Sequence, residues 1–193
     1  MLAVHFAPAW GRERTIVVLG DSLSSGYGLG AEQSWVDLLE DHLDAQAYGY
    51  ALVNASIAGD TSAGGLARLP GVLATYAPSI VVIELGGNDG LRGQPVPLLK
   101  QNLADIIELS KAAGAKVVLT GIQIPPNYGP AYTAAFADIY RELAAEHDVA
   151  LVAFLMEGVA LDPSLLQDDR IHPNAAGQRP LFENVWNVLA ELL

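Results

Sequence analysis

The sequence predicts an α/β fold: a three-layer α/β/α sandwich around a five-stranded parallel sheet, flavodoxin-like in its winding. Three observations predict it. Short β-branched runs alternate with longer stretches whose apolar residues recur at helical spacing. The strand candidates are nearly continuous apolar runs, as expected of strands covered on both faces. Successive strands are separated by helix-length segments, which describe βαβ units, and right-handed crossovers restrict their winding to the doubly wound class.

In chain order, Thr15-Ile-Val-Val-Leu19 is the first buried strand, and Gly20-Asp21-Ser22-Leu23 follows it. Trp35-Val-Asp-Leu-Leu-Glu-Asp-His-Leu43 places apolar residues at i, i+3 and i+4 and predicts a helix. Ala51-Leu-Val53 is a short strand, and residues 61–76 form a helix despite their glycines. Ile80-Val-Val-Ile-Glu-Leu85 is a second strong buried strand that runs into Gly86-Gly-Asn-Asp-Gly90. A helix over residues 96–112 leads to the strand Lys116-Val-Val-Leu-Thr120. The proline-rich Gln123-Ile-Pro-Pro-Asn-Tyr-Gly-Pro130 is a loop. Residues 132–147 are helical, Ala150-Leu-Val-Ala-Phe154 is the fifth strand, and residues 175–193 form the closing helix.

With 193 residues, 51% hydrophobic and 17% charged, the chain has ample apolar material for a core and is not intrinsically disordered. A fold of this size buries about 70% of the surface its unfolded chain exposes, which favours one domain spanning residues 1–193. Ten Lys+Arg against 22 Asp+Glu give a net charge of −12, which repels nucleic acid and anionic membranes. The absence of cysteine excludes disulfides, thiolate metal sites and a cysteine nucleophile. No apolar run reaches the ~18 residues a bilayer requires, so stable membrane insertion is not expected. Nothing predicts a protein partner. Residues 1–14 read either as the remnant of a signal peptide or as a flexible N-terminal extension.

Ligands of a doubly wound sheet bind beyond the carboxyl ends of its strands. The residues there are Asp21-Ser22, residues 56–60, Asn88-Asp89 and, in the last strand–helix loop, Asp168-Asp-Arg-Ile-His172. A serine hydroxyl is a poor nucleophile until a base removes its proton, and histidine is suited to that near neutral pH. A carboxylate must then hold the imidazole in the right tautomer. Asp169 and His172, three residues apart, can pair across one turn. Ser22, Asp169 and His172 thus meet the three role requirements. The backbone N–H groups of Ser22 and Gly59 and the Asn88 amide are candidate donors to a developing oxyanion.

Each residue also has a plain structural reading. Ser22 suits a turn, Asn88-Asp89-Gly90 has turn composition, and Asp60 or Thr61 suits a helix N-cap. Placement behind successive strands favours the catalytic reading. Three alternatives are weaker. The closely spaced Gly26, Gly28 and Gly30 lack both the last glycine of a dinucleotide fingerprint and the strand immediately before it. A metal-dependent phosphoesterase using Asp21, Asp60, Asn88, Asp169 and His172 has only one histidine on the rim. A non-catalytic binding module on the same fold is expected to lack at least one of these groups.

Taken together, Gly20-Asp21-Ser22-Leu23, the isolated Gly59, Gly87-Asn88-Asp89 and Asp169-x-x-His172 resemble the four blocks of the SGNH (GDSL) hydrolases. The resemblance runs from residue 15 to residue 193. Longer stretches, among them Val53-Asn-Ala-Ser56, Gly59-Asp-Thr-Ser62, residues 84–93 and Pro126-Asn-Tyr-Gly129, are similar to the bacterial thioesterase I / lysophospholipase subgroup and its arylesterase relatives. The resemblance implies a serine hydrolase of carboxylic esters, and by extension of acyl thioesters or lysophospholipids. Its nucleophile would be Ser22, its base His172 and its orienting acid Asp169, with Ser22, Gly59 and Asn88 as the oxyanion hole. It implies no metal or organic cofactor, a mobile loop over residues 90–94, and a periplasmic or secreted location. Two departures stand out. Arg170 occupies a position where glycine is common, and a cation there is expected to lower the pKa of Asp169 or draw it from the imidazole. Ala58 replaces a frequent serine. Leu91, Ile124 and Tyr128, with Ile122 and Pro125, are the candidates to line an open acyl groove. The substrate expected is a small-molecule ester or thioester with a short to medium acyl chain.

Overall fold

The computed structural model describes residues 14–193, so the segment read above as a signal remnant or extension lies outside the described residues except for Arg14, which already belongs to the first strand. Five strands, β1 (Arg14–Gly20), β2 (Tyr50–Asn54), β3 (Ile80–Glu84), β4 (Lys116–Thr120) and β5 (Ala150–Val152), form one sheet in the order β2-β1-β3-β4-β5. Every pairing is parallel. Side chains alternate across the sheet as strand geometry requires. Ile16, Val18, Ile80, Val82 and Val118 meet helices α1 (Trp35–Ala45) and α6 (Ala175–Leu189) on one face. Leu19, Val81, Ile83, Val117 and Leu119 meet α2 (Ser62–Tyr76), α4 (Val96–Ala112) and α5 (Pro130–His147) on the other. Both faces are covered, which is why the strand sequences are continuously apolar.

Local chemistry fixes where the helices start. Ser34 and Asp37 form a reciprocal capping box at α1. The Thr61 hydroxyl accepts from Gly64 N–H at 3.2 Å, so Thr61 is the N-cap of α2 rather than its first residue. Pro130 opens α5 two residues earlier than periodicity indicates, because proline suits the first helical turn.

Three further elements differ from the sequence reading. Gly87–Leu91, whose composition suits a turn, makes the short helix α3. The closing helix stops at Leu189 and tightens into a 3-10 turn over Ala190–Leu192. The fifth strand ends at Val152, not Phe154. There Leu155 N–H turns back to Gly121 O at 2.9 Å, and a Cβ on Gly121 would lie 2.2 Å from Ala153 O. The chain therefore leaves the ladder at this crossing and carries Phe154 and Met156 to a cavity wall.

The chain runs from β1 outward to β2, then returns past β1 to β3. Winding reverses there, and the crevice beyond the carboxyl ends of β1 and β3 is where such a fold binds ligands.

Candidate active site

Ser22 stands two residues beyond β1, in a turn made by Asp21. The Asp21 carbonyl accepts from Ser25 N–H at 3.0 Å and its carboxylate from Leu23 N–H at 3.0 Å. The turn presents the Ser22 hydroxyl to His172, whose Nε2 lies 2.8 Å from Oγ. His172 belongs to the loop before α6. Asp169 organises that loop locally, with Oδ1 accepting from the N–H groups of Ile171 (2.9 Å) and His172 (3.0 Å) and Oδ2 facing His172 Nδ1 at 2.6 Å. An aspartate bonding the backbone two and three residues on is ordinary Asx-turn behaviour, and here it also aims the second carboxylate oxygen at the imidazole. With Nδ1–H donating to Asp169, Nε2 is free to accept from the serine hydroxyl. Partial burial works against the Asp169 charge, but the bonds from the imidazole and the two backbone N–H groups outweigh it and lower its pKa from 3.8 to about 2. The Tyr27 ring lies 4.6 Å, centroid to centroid, from the imidazole.

The donor side is built from three strand ends. Gly59 has φ = 80°, a left-handed conformation that glycine adopts without strain. Neither Ser22 N–H nor Gly59 N–H donates to another group among the described residues, and both residues line the cavity. Asn88, in α3, lies beside them. Its Nδ2 donates to Asp21 Oδ2 and to Asp60 O, each at 2.9 Å, which accounts for both amide hydrogens. Arg68 braces the assembly from α2: Nε meets Asp60 Oδ2 at 2.8 Å, Nη2 donates to Gly20 O at 3.2 Å, and Nη1 donates to Ala55 O. One guanidinium thus ties the ends of β1 and β2 to the Gly59–Asp60 turn. Asp21 is buried, and desolvation pushes its pKa from 3.8 up to about 6 against the bonds from Leu23 N–H and Asn88.

A cavity of about 1040 Å³ opens beside Ser22. Leu91, Ile122, Ile124 and Pro125 line one wall, as the sequence leads one to expect, while Phe154, Met156 and Leu161 line another that the sequence did not indicate. Tyr128 stands behind the first wall, its hydroxyl donating to Leu91 O at 2.8 Å, and Tyr132 reaches Gln94 O at 2.7 Å. The loop over residues 90–94 is therefore strapped to the chain around the start of α5. Arg170 adopts φ = 57°, where a glycine would be unstrained, and Asp169 keeps its contact with His172 beside it. Groups other than Arg170 lower the Asp169 pKa. Of the donors of the metal alternative, Asp60 is held by Arg68, while Asp21 pairs with Asn88 and Asp169 with His172.

Sequence reasoning passed over two residues that carry signals. Arg68 is the one charged residue of α2, and Glu84 is the one ionisable residue in the otherwise apolar β3.

Compared with known proteins, residues 18–179 match the family model described as GDSL-like lipase/acylhydrolase. The chain is 54% identical over 180 residues to esterase TesA of Pseudomonas aeruginosa, covering 93% of this chain and 90% of that protein. It is 49% identical over 164 residues to thioesterase 1/protease 1/lysophospholipase L1 of Escherichia coli K12, covering 85% of this chain and 77% of that one. Among solved structures it is similar to the psychrotrophic esterase EstA from a Pseudoalteromonas species, inhibited by monoethylphosphonate. The TM-score is 0.88 at 41% identity, covering 93% of this chain and 98% of EstA.

Proposed function

The chain belongs to the GDSL-like lipase/acylhydrolase family and is a serine ester hydrolase, and on that premise we propose that Ser22, His172 and Asp169 are its catalytic triad. The observation that carries the reading is the continuous chain of contacts from Ser22 Oγ to His172 Nε2 (2.8 Å) and from Nδ1 to Asp169 Oδ2 (2.6 Å). Ser22 Oγ attacks the acyl carbonyl as His172 takes its proton. The oxyanion accepts from the N–H groups of Ser22 and Gly59 and from Asn88, which exchanges one of its two present acceptors for it. His172 then protonates the departing alcohol or thiol, and water, deprotonated by the same imidazole, releases the acid from the acyl-enzyme. Asp169 stays ionised throughout, in keeping with its low pKa. Because the base must be neutral, turnover is highest at neutral to alkaline pH.

The substrates are small-molecule carboxylic esters, with thioesters and lysophospholipids alongside, a range that the names of the relatives support. The acyl chain lies along Leu91, Ile122 and Ile124, with Tyr128 supporting Leu91 from behind. Residues 1–193 act as one domain, exported to the periplasm or beyond.

The test is hydrolysis of a p-nitrophenyl acyl series by wild type and Ser22→Ala, with and without EDTA. Wild type is expected to turn over equally with chelator, and Ser22→Ala to lose about 10³-fold or more in kcat. Retained activity in Ser22→Ala, or abolition by EDTA, overturns the assignment. A phosphonate ester is also expected to inactivate wild type by modifying Ser22, consistent with the inhibited state of EstA.

A further inference from the structure

β3 places four apolar residues and then a carboxylic acid in the middle strand of a sheet covered on both faces. Glu84 is fully buried, with 0% of its surface exposed. Its Oε2 accepts from Asp21 N–H at 3.1 Å and from the Ser24 hydroxyl at 2.7 Å. Its Oε1 is the buried side-chain polar atom left without a partner among the described residues, and no cation there forms a salt bridge with Glu84. The space it occupies is made for it. Gly20 is its register partner across the β1–β3 ladder, and a Cβ there would lie 2.8 Å from Glu84 Oε2 and 2.9 Å from Ser24 Oγ. A glycine and a serine are thus committed to housing an acid where an aliphatic side chain would bring no polar group of its own to bury.

The acid holds the Asp21 backbone N–H on one side of Ser22 and the Ser24 hydroxyl on the other. Asp21, whose N–H it holds, carries the carboxylate that holds Asn88 Nδ2 at 2.9 Å. We propose that Glu84 is a positioning residue for the oxyanion hole: it accepts from Asp21 N–H and the Ser24 hydroxyl, and so fixes the turn that aims the Ser22 N–H and, through Asp21, the Asn88 amide. This rests on the reading of Ser22 as nucleophile. Glu84 acts as a neutral acid. Burial, and then the neighbouring Asp21 charge, push its pKa well above the ordinary 4.5, and a second carboxylate so close would repel Asp21.

An oxyanion exists only in the transition state and the tetrahedral intermediate, so misaligned donors lower kcat and leave KM alone. Glu84→Gln keeps an acceptor and no charge, whereas Glu84→Leu keeps the bulk and loses the acceptor. On p-nitrophenyl butyrate, Glu84→Gln is expected within about threefold of wild type in kcat, and Glu84→Leu about 10²-fold lower with KM within about threefold. Gly20→Ala, whose Cβ displaces the acid, is expected to lower kcat about tenfold with KM unchanged. It decides the matter should Glu84→Leu not fold. A Gln variant as slow as the Leu variant shows that the charge is what matters and overturns the proposal. So does wild-type kcat in Glu84→Leu or Gly20→Ala. Ser22→Ala, assayed alongside, separates the two readings. Turnover by Ser22→Ala sinks the triad itself, while an inactive Ser22→Ala beside a fully active Glu84→Leu sinks only the role of Glu84.

Discussion

Asp169 and Asp21 are the same residue type in one site, yet their acidities move in opposite directions, to about 2 and about 6. Asp169 lies in the His172 loop with its side chain 39% exposed, and its partners sit two and three residues away. Asp21 lies at the end of β1, buried, and beyond the local bond from Leu23 N–H its side-chain partner is Asn88, 67 positions distant in sequence. The first region is a local device in which one turn supplies both the carboxylate and the imidazole. The second is a tertiary device in which β1, β3, the Gly59–Asp60 turn and α2 must all dock before a donor points anywhere. The difference teaches that a charge made by a turn is stabilised where it stands, while a charge carried into the sheet is tolerated only within a network.

Substitutions can break this contrast, the largest effect first. Asp169→Asn preserves an oxygen for the two backbone N–H groups but loses the charge facing Nδ1, so kcat is expected to fall about 10³–10⁴-fold, with the melting temperature only modestly lowered at neutral pH. A large loss of melting temperature would show that the loop is not the self-sufficient unit described. Asn88→Ala is expected to cost about 10²–10³-fold in kcat, the usual worth of one oxyanion donor, with KM little altered. A rise in KM instead would make Asn88 a substrate-binding residue.

Arg68→Lys probes the tertiary device at one remove from chemistry. A lysine cannot reproduce three directed bonds, so kcat is expected to fall about tenfold and the melting temperature by several degrees. Kinetics and calorimetry on the same sample check whether the two losses travel together, as a positioning role requires.

The sharpest version of the comparison is a pH titration of stability. The folded pKa of Asp169 is depressed, so the stability it contributes is complete above its unfolded value of 3.8 and is lost as pH falls toward about 2. For Asp21 the folded pKa is raised, so its contribution is complete below 3.8 and is lost as pH rises through about 6. Melting temperatures of wild type, Asp169→Asn and Asp21→Asn between pH 2 and 7 should therefore show wild type gaining on the first and losing ground to the second as pH rises. Parallel curves would remove the distinction. The smallest effect is expected from Arg170→Gly, within about twofold in kcat, because the arginine is not among the groups that lower the Asp169 pKa. A shifted acid limb of the pH–rate profile would show that it does bear on the pair.

Much of this was legible beforehand for an identifiable reason. β1 and β3 are legible because burial on both faces demands unbroken β-branched runs, and α4 because its apolar stripe recurs over 17 residues. Asp169 and His172 are legible because their pairing is a matter of three residues' spacing. The helix over Gly87–Leu91 was hidden because two glycines and an Asn-Asp pair have turn composition, and the docking of Asn88 against Asp21 and Asp60 makes the helical turn worthwhile. Phe154 reads as strand because its apolar neighbours continue the pattern, and only the crossing over Gly121 ends the ladder two residues earlier.

The sequence by itself determined the alternation of strands and helices, the edge on which polar residues gather, and the pairing of Asp169 with His172, because each follows from periodicity or from turns of a few residues. Only the tertiary structure decided that Ser22 meets that histidine from 150 positions away. It likewise decided that Arg68 ties two strand ends to the Gly59–Asp60 turn, and that a glutamic acid lies under the turn that carries Ser22. Contacts between distant segments depend on how the sheet winds and how closely its layers approach, and a carboxyl's acidity depends on what surrounds it once they have.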